Sequence, residues 1–287
     1  MAINFQKVGF TYQAGTPFAS AGLHDVNFQI PLQQFTALIG HTGSGKSTTL
    51  QLLDGLTLPT VGEVEVLNQT LRSDTLIKTT NQLREHVGLV FQFPEAQLFE
   101  DTVLRDVMFG PLNFGASTTE AEQRARTALR LVGLDAEFES HSPFDLSGGQ
   151  MRRVAIAGVL ALEPELLILD EPTAGLDPKG QADLMALFAR LQQERHLTVV
   201  VVTHQMEFVA QYAQHVVVFE QGTVVKEGAP ADIFADSAWL RERQLDVPMV
   251  RQFTDLLTQK GVTLAPTLDL DQLTAQIVAK IQGGRDV

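Results

Sequence analysis

Eight consecutive residues, Gly40-His41-Thr42-Gly43-Ser44-Gly45-Lys46-Ser47, have the composition of a loop that wraps phosphate. Its glycines let the chain curl so that backbone N–H groups point inward at anionic oxygens, and a helix opening beyond them through Thr48 adds the positive end of its dipole. In this pattern Lys46 reaches the β- and γ-phosphates of a nucleotide and the Ser47 hydroxyl ligates Mg²⁺. Far downstream, Leu166-Leu-Ile-Leu-Asp170-Glu171 ends an apolar run on two carboxylates. At the C-terminal end of a buried parallel strand such a pair faces the ligand crevice. Asp170 is placed to hold Mg²⁺ and its water shell, and Glu171 to polarise an attacking water. Between these segments lies Asp145-Leu146-Ser147-Gly148-Gly149-Gln150, ahead of a helix expected from about Met151. Ser147 caps that helix, and the two glycines leave N–H groups bare, so this is a second anion-binding turn. Alone it would be only a glycine-rich helix start. With the first loop it gives one chain two γ-phosphate binders, which would let one nucleotide lie between two chains.

The elements that must hold these residues follow from hydrophobic period. Residues 3–12 and 24–30 alternate as strands, and Thr36-Ala-Leu-Ile runs as a strand into Gly40, with helical character from Ser47. Gly62-Glu-Val-Glu-Val reads as a further strand after a turn at Pro59. From 94 to 150 the texture is helical; Thr119 with Glu122 predicts a capping box, and Gly133 a stop. Leu166–Asp170 and Thr198–Thr203 are short apolar runs suited to a buried parallel sheet. Between them Leu184, Leu187, Phe188 and Leu191 mark one face of a helix. Strands alternating with helices imply an α/β domain with a largely parallel sheet. Past about 235, Pro248 and Pro266 separate short amphipathic helices carrying Met249, Phe253, Leu256 and Leu257, then Leu270, Leu273, Ile277 and Ile281. The expected division is a nucleotide-binding unit over 1–235, with a helical subdomain at about 94–150, and a small helical domain over 236–287.

Composition narrows the partners. The 287 residues are 44% hydrophobic, enough for a substantial core, and carry a net charge of −13 with no Lys/Arg run, which disfavours nucleic acid. There is no cysteine, so no disulfide and no thiolate metal site. The N-terminus lacks an apolar run of signal-peptide length, and the longest apolar stretches fall far below the ~20 residues of a membrane span. If the protein works at a membrane, other chains hold it there.

The three motifs, in this order, resemble the ABC ATPase family: Leu146-Ser-Gly-Gly-Gln150 looks like its signature, 40–47 its Walker A and 166–171 its Walker B. The resemblance spans roughly residues 3–230. It implies a P-loop NTPase fold with an N-terminal antiparallel β subdomain, a helical signature subdomain and hydrolysis of ATP with Mg²⁺. It also implies a head-to-tail dimer, each ATP lying between the phosphate loop of one subunit and the signature of the other. By place, Gln92 matches the glutamine that senses Mg²⁺ or water, Asp177 the aspartate that speaks across the dimer, His204 the switch histidine that meets the γ-phosphate, and Tyr12 the aromatic that stacks on adenine. Without the family, Gln92 would be an ordinary polar residue after a strand, Asp177 a turn residue before Pro178, His204 a structural strand-end histidine and Tyr12 a strand-face residue. The remaining histidines, His24, His86, His141, His196 and His215, show no ligand spacing, nor does His41 beyond its place in the loop.

The interval between loop and signature is too short for the coiled-coil insertion of DNA-repair members, and one cassette is present where translation-associated members usually fuse two. Gln92-Phe-Pro-Glu-Ala-Gln-Leu-Phe-Glu-Asp-Thr-Val103, Asp106-Val-Met-Phe-Gly-Pro-Leu-Asn113 and the intact Asp170-Glu-Pro-Thr-Ala-Gly-Leu-Asp-Pro178 are similar to one of the two paralogous ATPases of energy-coupling factor (ECF) transporters, importers of vitamins or cobalt and nickel ions. That resemblance implies a paralogous ATPase partner (or a second copy), a transmembrane coupling protein and a small substrate-binding membrane protein, with this chain peripheral on the cytoplasmic face of the cell membrane. It also implies a groove near Glu95, Gln97, Leu98 and Phe99 that receives a coupling helix, though Leu98 and Phe99 could equally be core, and a C-terminal extension used in dimer contact. A conventional ABC transporter ATPase and, less favoured, a non-transport regulator are the alternatives.

Overall fold

A computed structural model describes residues 2–283; residues 284–287, the end of the expected C-terminal segment, lie outside the described residues. Strands β1 (Ala2–Tyr12) and β2 (Ser20–Pro31) pair antiparallel; β3 (Phe35–Gly40) runs into the phosphate loop and α1 (Lys46–Leu53). Then come β4 (Val61–Val66), β5 (Gln69–Leu71), α2 (Ile77–Arg84), β6 (Val87–Val90), α3 (Val103–Asn113), α4 (Thr118–Leu131), α5 (Gly148–Leu160), β7 (Leu166–Asp170), α6 (Pro178–Arg195) and β8 (Thr198–Val202). The chain continues through α7 (Met206–Tyr212), β9 (His215–Glu220), β10 (Thr223–Gly228), α8 (Pro230–Phe234), α9 (Ser237–Glu242), α10 (Met249–Gln259) and α11 (Leu270–Gly283).

Two sheets result. One is antiparallel, in the order β2-β1-β4-β5; the other has six strands in the order β10-β9-β3-β8-β7-β6, all parallel save the edge strand β10. Every residue of β3 and β8 is buried, as expected of strands covered on both faces. Because side chains alternate across a strand, each one feeds two cores. Phe35, Ala37, Ile39, Leu167, Leu169, Val199 and Val201 pack against α3 to α8. Leu38, Leu166, Ile168, Val200 and Val202 pack the opposite way, against α1 and the antiparallel sheet. The strand ends carrying Gly40, Asp170 and Thr203 therefore lie side by side at the C-terminal end of the parallel strands.

Phe188, on α6, is wholly buried in the first core. Phe188→Ala is expected to destabilise the protein by about 3–5 kcal/mol, the sum of lost transfer energy and the cavity left behind. Urea denaturation followed by circular dichroism measures it, and a loss below about 1 kcal/mol would mean the packing is not as described.

Two helix starts differ from expectation. The cap of α4 is Ser117, whose hydroxyl accepts from the amide of Glu120, so the cap lies two residues before Thr119 and the helix opens at Thr118. The stop at Gly133 stands, with φ +75°. Helix α5 opens at Gly148 rather than near Met151, because Ser147 and Gln150 close a reciprocal capping box that offsets the low helix propensity of the glycines.

Leu240, Leu245 and Val247 join the first core; beyond Pro248, α10 and α11 leave Met249, Phe253, Leu256, Leu270, Val278 and Ile281 exposed. A cleft of about 860 Å³ separates these helices from α7 and α8, lined by Glu207, Gln211, Met249, Phe253, Leu268 and Leu270 among others. Among the described residues no helix is long and apolar enough to cross a membrane.

Candidate active site

The phosphate loop bridges β3 and α1. Gly40 has φ +149°, and a Cβ there would stand 2.3 Å from the carbonyl oxygen of Phe219, so only glycine lets β3 lie this close to β9. At Gly45, φ is +107° and a Cβ would meet Leu23 at 2.6 Å. Gly45 also stands at the N-cap of α1 with no side chain capping it, which leaves the first amides of the helix for an anion. The amide of Ser44 donates to His41 O at 3.1 Å, and Gly222 N donates to Ser44 O at 3.0 Å, tying the loop to the β9–β10 turn.

Lys46 is buried, and its ammonium donates to the carbonyls of Gly40 and His41, each at 2.7 Å. Burial lowers its pKa, opposed by the negative charges of Glu171 and Asp170. Burial likewise raises the Asp170 carboxyl, with Glu171 adding to the rise and Lys46 opposing it. Loop cation and strand-end carboxylates thus feel one another. Tyr12, at the end of β1, is partly exposed; its hydroxyl lies 2.5 Å from Thr48 Oγ1, so its ring sits beside the helix that follows the loop.

Two other segments converge on Glu171. Gln92 Nε2 donates to Glu171 Oε2 at 3.1 Å, and His204 Nε2 lies 3.1 Å from Glu171 Oε1. Glu171 itself is left-handed, at φ +47°, an uncommon conformation for a non-glycine residue. Its amide donates to Val202 O at 3.0 Å, so the turn is held to β8, the strand that delivers His204. A carboxyl group held by an amide donor on one oxygen and an imidazole on the other has its orientation fixed.

Ser147, Gly148 and Gly149 are exposed at the head of α5. The capping box occupies the amide of Gln150, leaving the first-turn amides of the two glycines open. Among the described residues no hydrogen bond or ion pair joins Ser147–Gln150 to the loop at 40–47. Asp177 caps α6, its Oδ1 accepting from Gly180 N at 2.8 Å.

Several contacts had no signal in the sequence. Arg152 binds both Glu95 oxygens, so Glu95 does not stand free in the expected groove. Of its neighbours there, Leu98 is core, whereas Phe99 is exposed and packs edge-on against Phe109. Gln205, next to His204, accepts from Thr173 Oγ1 at 3.0 Å and donates to Gln181 at 2.7 Å. The His41 ring meets the carbonyl of Arg243, joining the loop to the segment that leads into α10.

The far end of α1 holds an electrostatic device. Asp54 is buried at the helix C-terminus, and burial pushes its carboxyl up to about 7, with Arg84, 3.9 Å away, pulling it the other way. The unfolded chain ionises Asp54 near 3.8 while the folded protein keeps it protonated to about 7. Between those values the folded state binds more protons, so stability falls as pH rises from about 4 to 7 and is level above. At ~1.4 kcal/mol per unit the loss approaches ~4 kcal/mol. Asp54→Asn is expected to remove this slope and to raise the melting temperature at pH 8 but not at pH 4. Equal shifts at both values would refute the assignment.

A family model for the ABC transporter matches residues 23–174. The energy-coupling factor transporter ATP-binding protein EcfA2 of Enterococcus faecalis is 53% identical over 283 residues, covering 98% of each chain. Its namesake in Lactiplantibacillus plantarum is 55% identical over 282 residues, covering 98% of this chain and 96% of that one. Among solved structures, cbiO1 from Clostridium perfringens, part of the ABC transporter complex cbiONQ, superposes with a TM-score of 0.74 at 36% identity, covering 88% of this chain and 98% of that one. The ATP-binding cassette MJ0796, solved as a dimer in a post-hydrolysis state with ADP and Pi, gives 0.70 at 34% identity, covering 79% and 98%. The chain therefore belongs to the ABC transporter ATPase family, and within it to the energy-coupling factor ATP-binding subunits. It binds ATP and hydrolyses it in the service of transport.

Proposed function

We propose that this chain powers uptake by in-line attack of water on the γ-phosphate of ATP, with Glu171 as the base that orients the water. The observation that carries this reading is the pair of 3.1 Å contacts from Gln92 and His204 to the two oxygens of Glu171. Backbone amides of residues 40–48 cradle the phosphates, Lys46 turns from the Gly40 and His41 carbonyls to the β- and γ-oxygens, and Tyr12 stacks on the adenine. His204 meets the γ-phosphate. Ser147, Gly148, Gly149 and Gln150 close on the γ-phosphate of a nucleotide held by the partner's loop, and Asp177 lies at that dimer contact.

Among the described residues no cluster of three His, Cys, Asp or Glu could hold a metal. The hard oxygens of Ser47 and Asp170, with the Gln92 amide oxygen, fit Mg²⁺, a cation that takes oxygen ligands including one or two carboxylates and completes its shell from phosphate and water. When bound, it neutralises charge developing on the phosphate oxygens.

The ATPase unit spans 1–235, the extension beyond it packs Leu240, Leu245 and Val247 into the core of that unit, and helices α10 and α11 serve dimerisation, a use that their exposed apolar faces support. The partners are a paralogous ATPase, a transmembrane coupling protein that docks near Gln97 and Phe99, and a small membrane protein that selects a vitamin or a transition-metal ion. The chain sits peripherally on the cytoplasmic face of the membrane and binds no nucleic acid. A mild-detergent pull-down from native membranes, read by mass spectrometry, tests the assembly. Recovery of a second ABC ATPase with two unrelated multi-span proteins supports it; a conventional permease pair, or soluble partners alone, overturns it.

A further inference from the structure

Arg152 lies one turn into α5, two residues past Gln150, with its guanidinium almost wholly buried. Nε donates to Glu95 Oε2 at 2.9 Å and Nη2 to Glu95 Oε1 at 2.8 Å, a bidentate pair. Nη1 donates to the carbonyl of Ala174 at 2.7 Å and to that of Pro172 at 3.3 Å. The ring of Phe93 lies 6.0 Å away. One planar fork therefore joins three stretches distant in sequence. The first is Phe93–Glu95, directly after Gln92; the second is Pro172–Ala174, directly after Glu171; the third is the helix headed by Ser147–Gln150.

From this geometry we infer that Arg152 is a positioning residue for hydrolysis, setting the placement of Gln92 and Glu171 relative to each other and to the head of α5. Gln92 and Glu171 meet through a single 3.1 Å hydrogen bond at the surface, which is a weak constraint by itself. Arg152 holds the chain that follows each of them, through the Glu95 carboxylate after Gln92 and through the Pro172 and Ala174 carbonyls after Glu171. Burial pushes the Glu95 carboxyl up, but the hydrogen bonds and charge of Arg152 more than offset this and leave it below the usual range, so the pair stays ionised at neutral pH. A rigid fork can serve both partners at once; a lysine, a point charge on a flexible stem, cannot. Displacement of the Phe93–Phe99 stretch, whose Phe93 and Phe99 rings are exposed, would then reach the turn after Glu171 through this one side chain.

The inference rests on the reading of Glu171 as base, and the test separates the two. In the full chain, Arg152→Lys, Glu95→Gln and their combination are compared for ATP turnover, KM and melting temperature. Arg152→Lys is expected to lower kcat about tenfold while KM for ATP stays within about twofold. Glu95→Gln, which keeps the side-chain shape and so remains folded even if Arg152→Lys does not, should lower kcat about threefold or more. The double variant should be no worse than Arg152→Lys alone, because the two residues act as one unit. A folded Glu95→Gln or Arg152→Lys protein with native kcat would overturn the inference, as would a fall in kcat that merely tracks the folded fraction. If Glu171→Gln is inactive while these variants turn over normally, only the role of Arg152 fails; if Glu171→Gln also turns over normally, the Glu171 reading fails with it.

Discussion

Glu171→Gln is expected to leave ATP binding intact and to lower turnover at its site by about 10²- to 10⁴-fold, the usual contribution of a positioned general base. Glutamine keeps the shape of glutamate, and its carbonyl oxygen can still accept from Gln92 Nε2, so the local fold should survive. What disappears is the negative charge that orients the attacking water and takes its proton. Binding should be unharmed or tighter, because Glu171 and Asp170 together place two negative charges where the γ-phosphate must come. Their mutual repulsion already adds to the burial that raises Asp170. Single-turnover hydrolysis of labelled ATP by the full chain, with nucleotide binding measured in parallel, decides it. Turnover within about threefold of the unaltered protein would remove Glu171 from its role and leave the two 3.1 Å contacts as a structural knot.

The second large effect is at Lys46. Lys46→Ala is expected to raise the dissociation constant for ATP about 100-fold, with hydrolysis lost at ordinary ATP concentrations. Charge-assisted hydrogen bonds contribute about 1.5–3 kcal/mol each, and a loss of ~3 kcal/mol is two factors of ten in affinity. The free protein should tolerate the change, since burial already works against the charged ammonium. The carbonyls of Gly40 and His41 lose a donor. Asp170 loses the cation that holds its carboxyl down and should move further up. Isothermal titration with Mg-ATP measures the affinity, and a native value would contradict the placement of the phosphates in this loop. The Glu171 and Lys46 variants should fail differently, one holding nucleotide without cutting it and the other failing to hold it.

The contiguous parts of the site were legible in the sequence because their chemistry demands adjacency. A loop that wraps phosphate with successive amides has to be continuous, so Gly40–Ser47 could be read as a string. A strand buried on both faces must be apolar throughout, so Leu166–Leu169 announced the strand that carries Asp170 and Glu171, and Thr198–Val202 its neighbour. The capping box at Ser147 and Gln150 closes within a single turn, and it starts α5 at Gly148 rather than near Met151 because the cap offsets the low helix propensity of the glycines. A local ambiguity also shifted the start of α4, where three consecutive hydroxyl residues, Ser117, Thr118 and Thr119, could each have served and the backbone chose Ser117.

The tertiary structure alone decided what meets across the fold. Gln92 and His204 are a polar residue after a strand and a histidine after another until parallel pairing of β6, β7 and β8 brings their ends beside Glu171. Arg152 reads as one of two arginines on a helix; only packing buries it and turns its fork to Glu95, Pro172 and Ala174. Leu98 and Phe99 are equally apolar neighbours, yet one enters the core and the other faces solvent. Asp54 gives no sign in its flanking residues that burial will hold its proton to about 7. Local chemistry is written in neighbouring residues because covalent spacing enforces it, whereas burial and long-range contact are properties of the closed core and exist only once the strands have found their order.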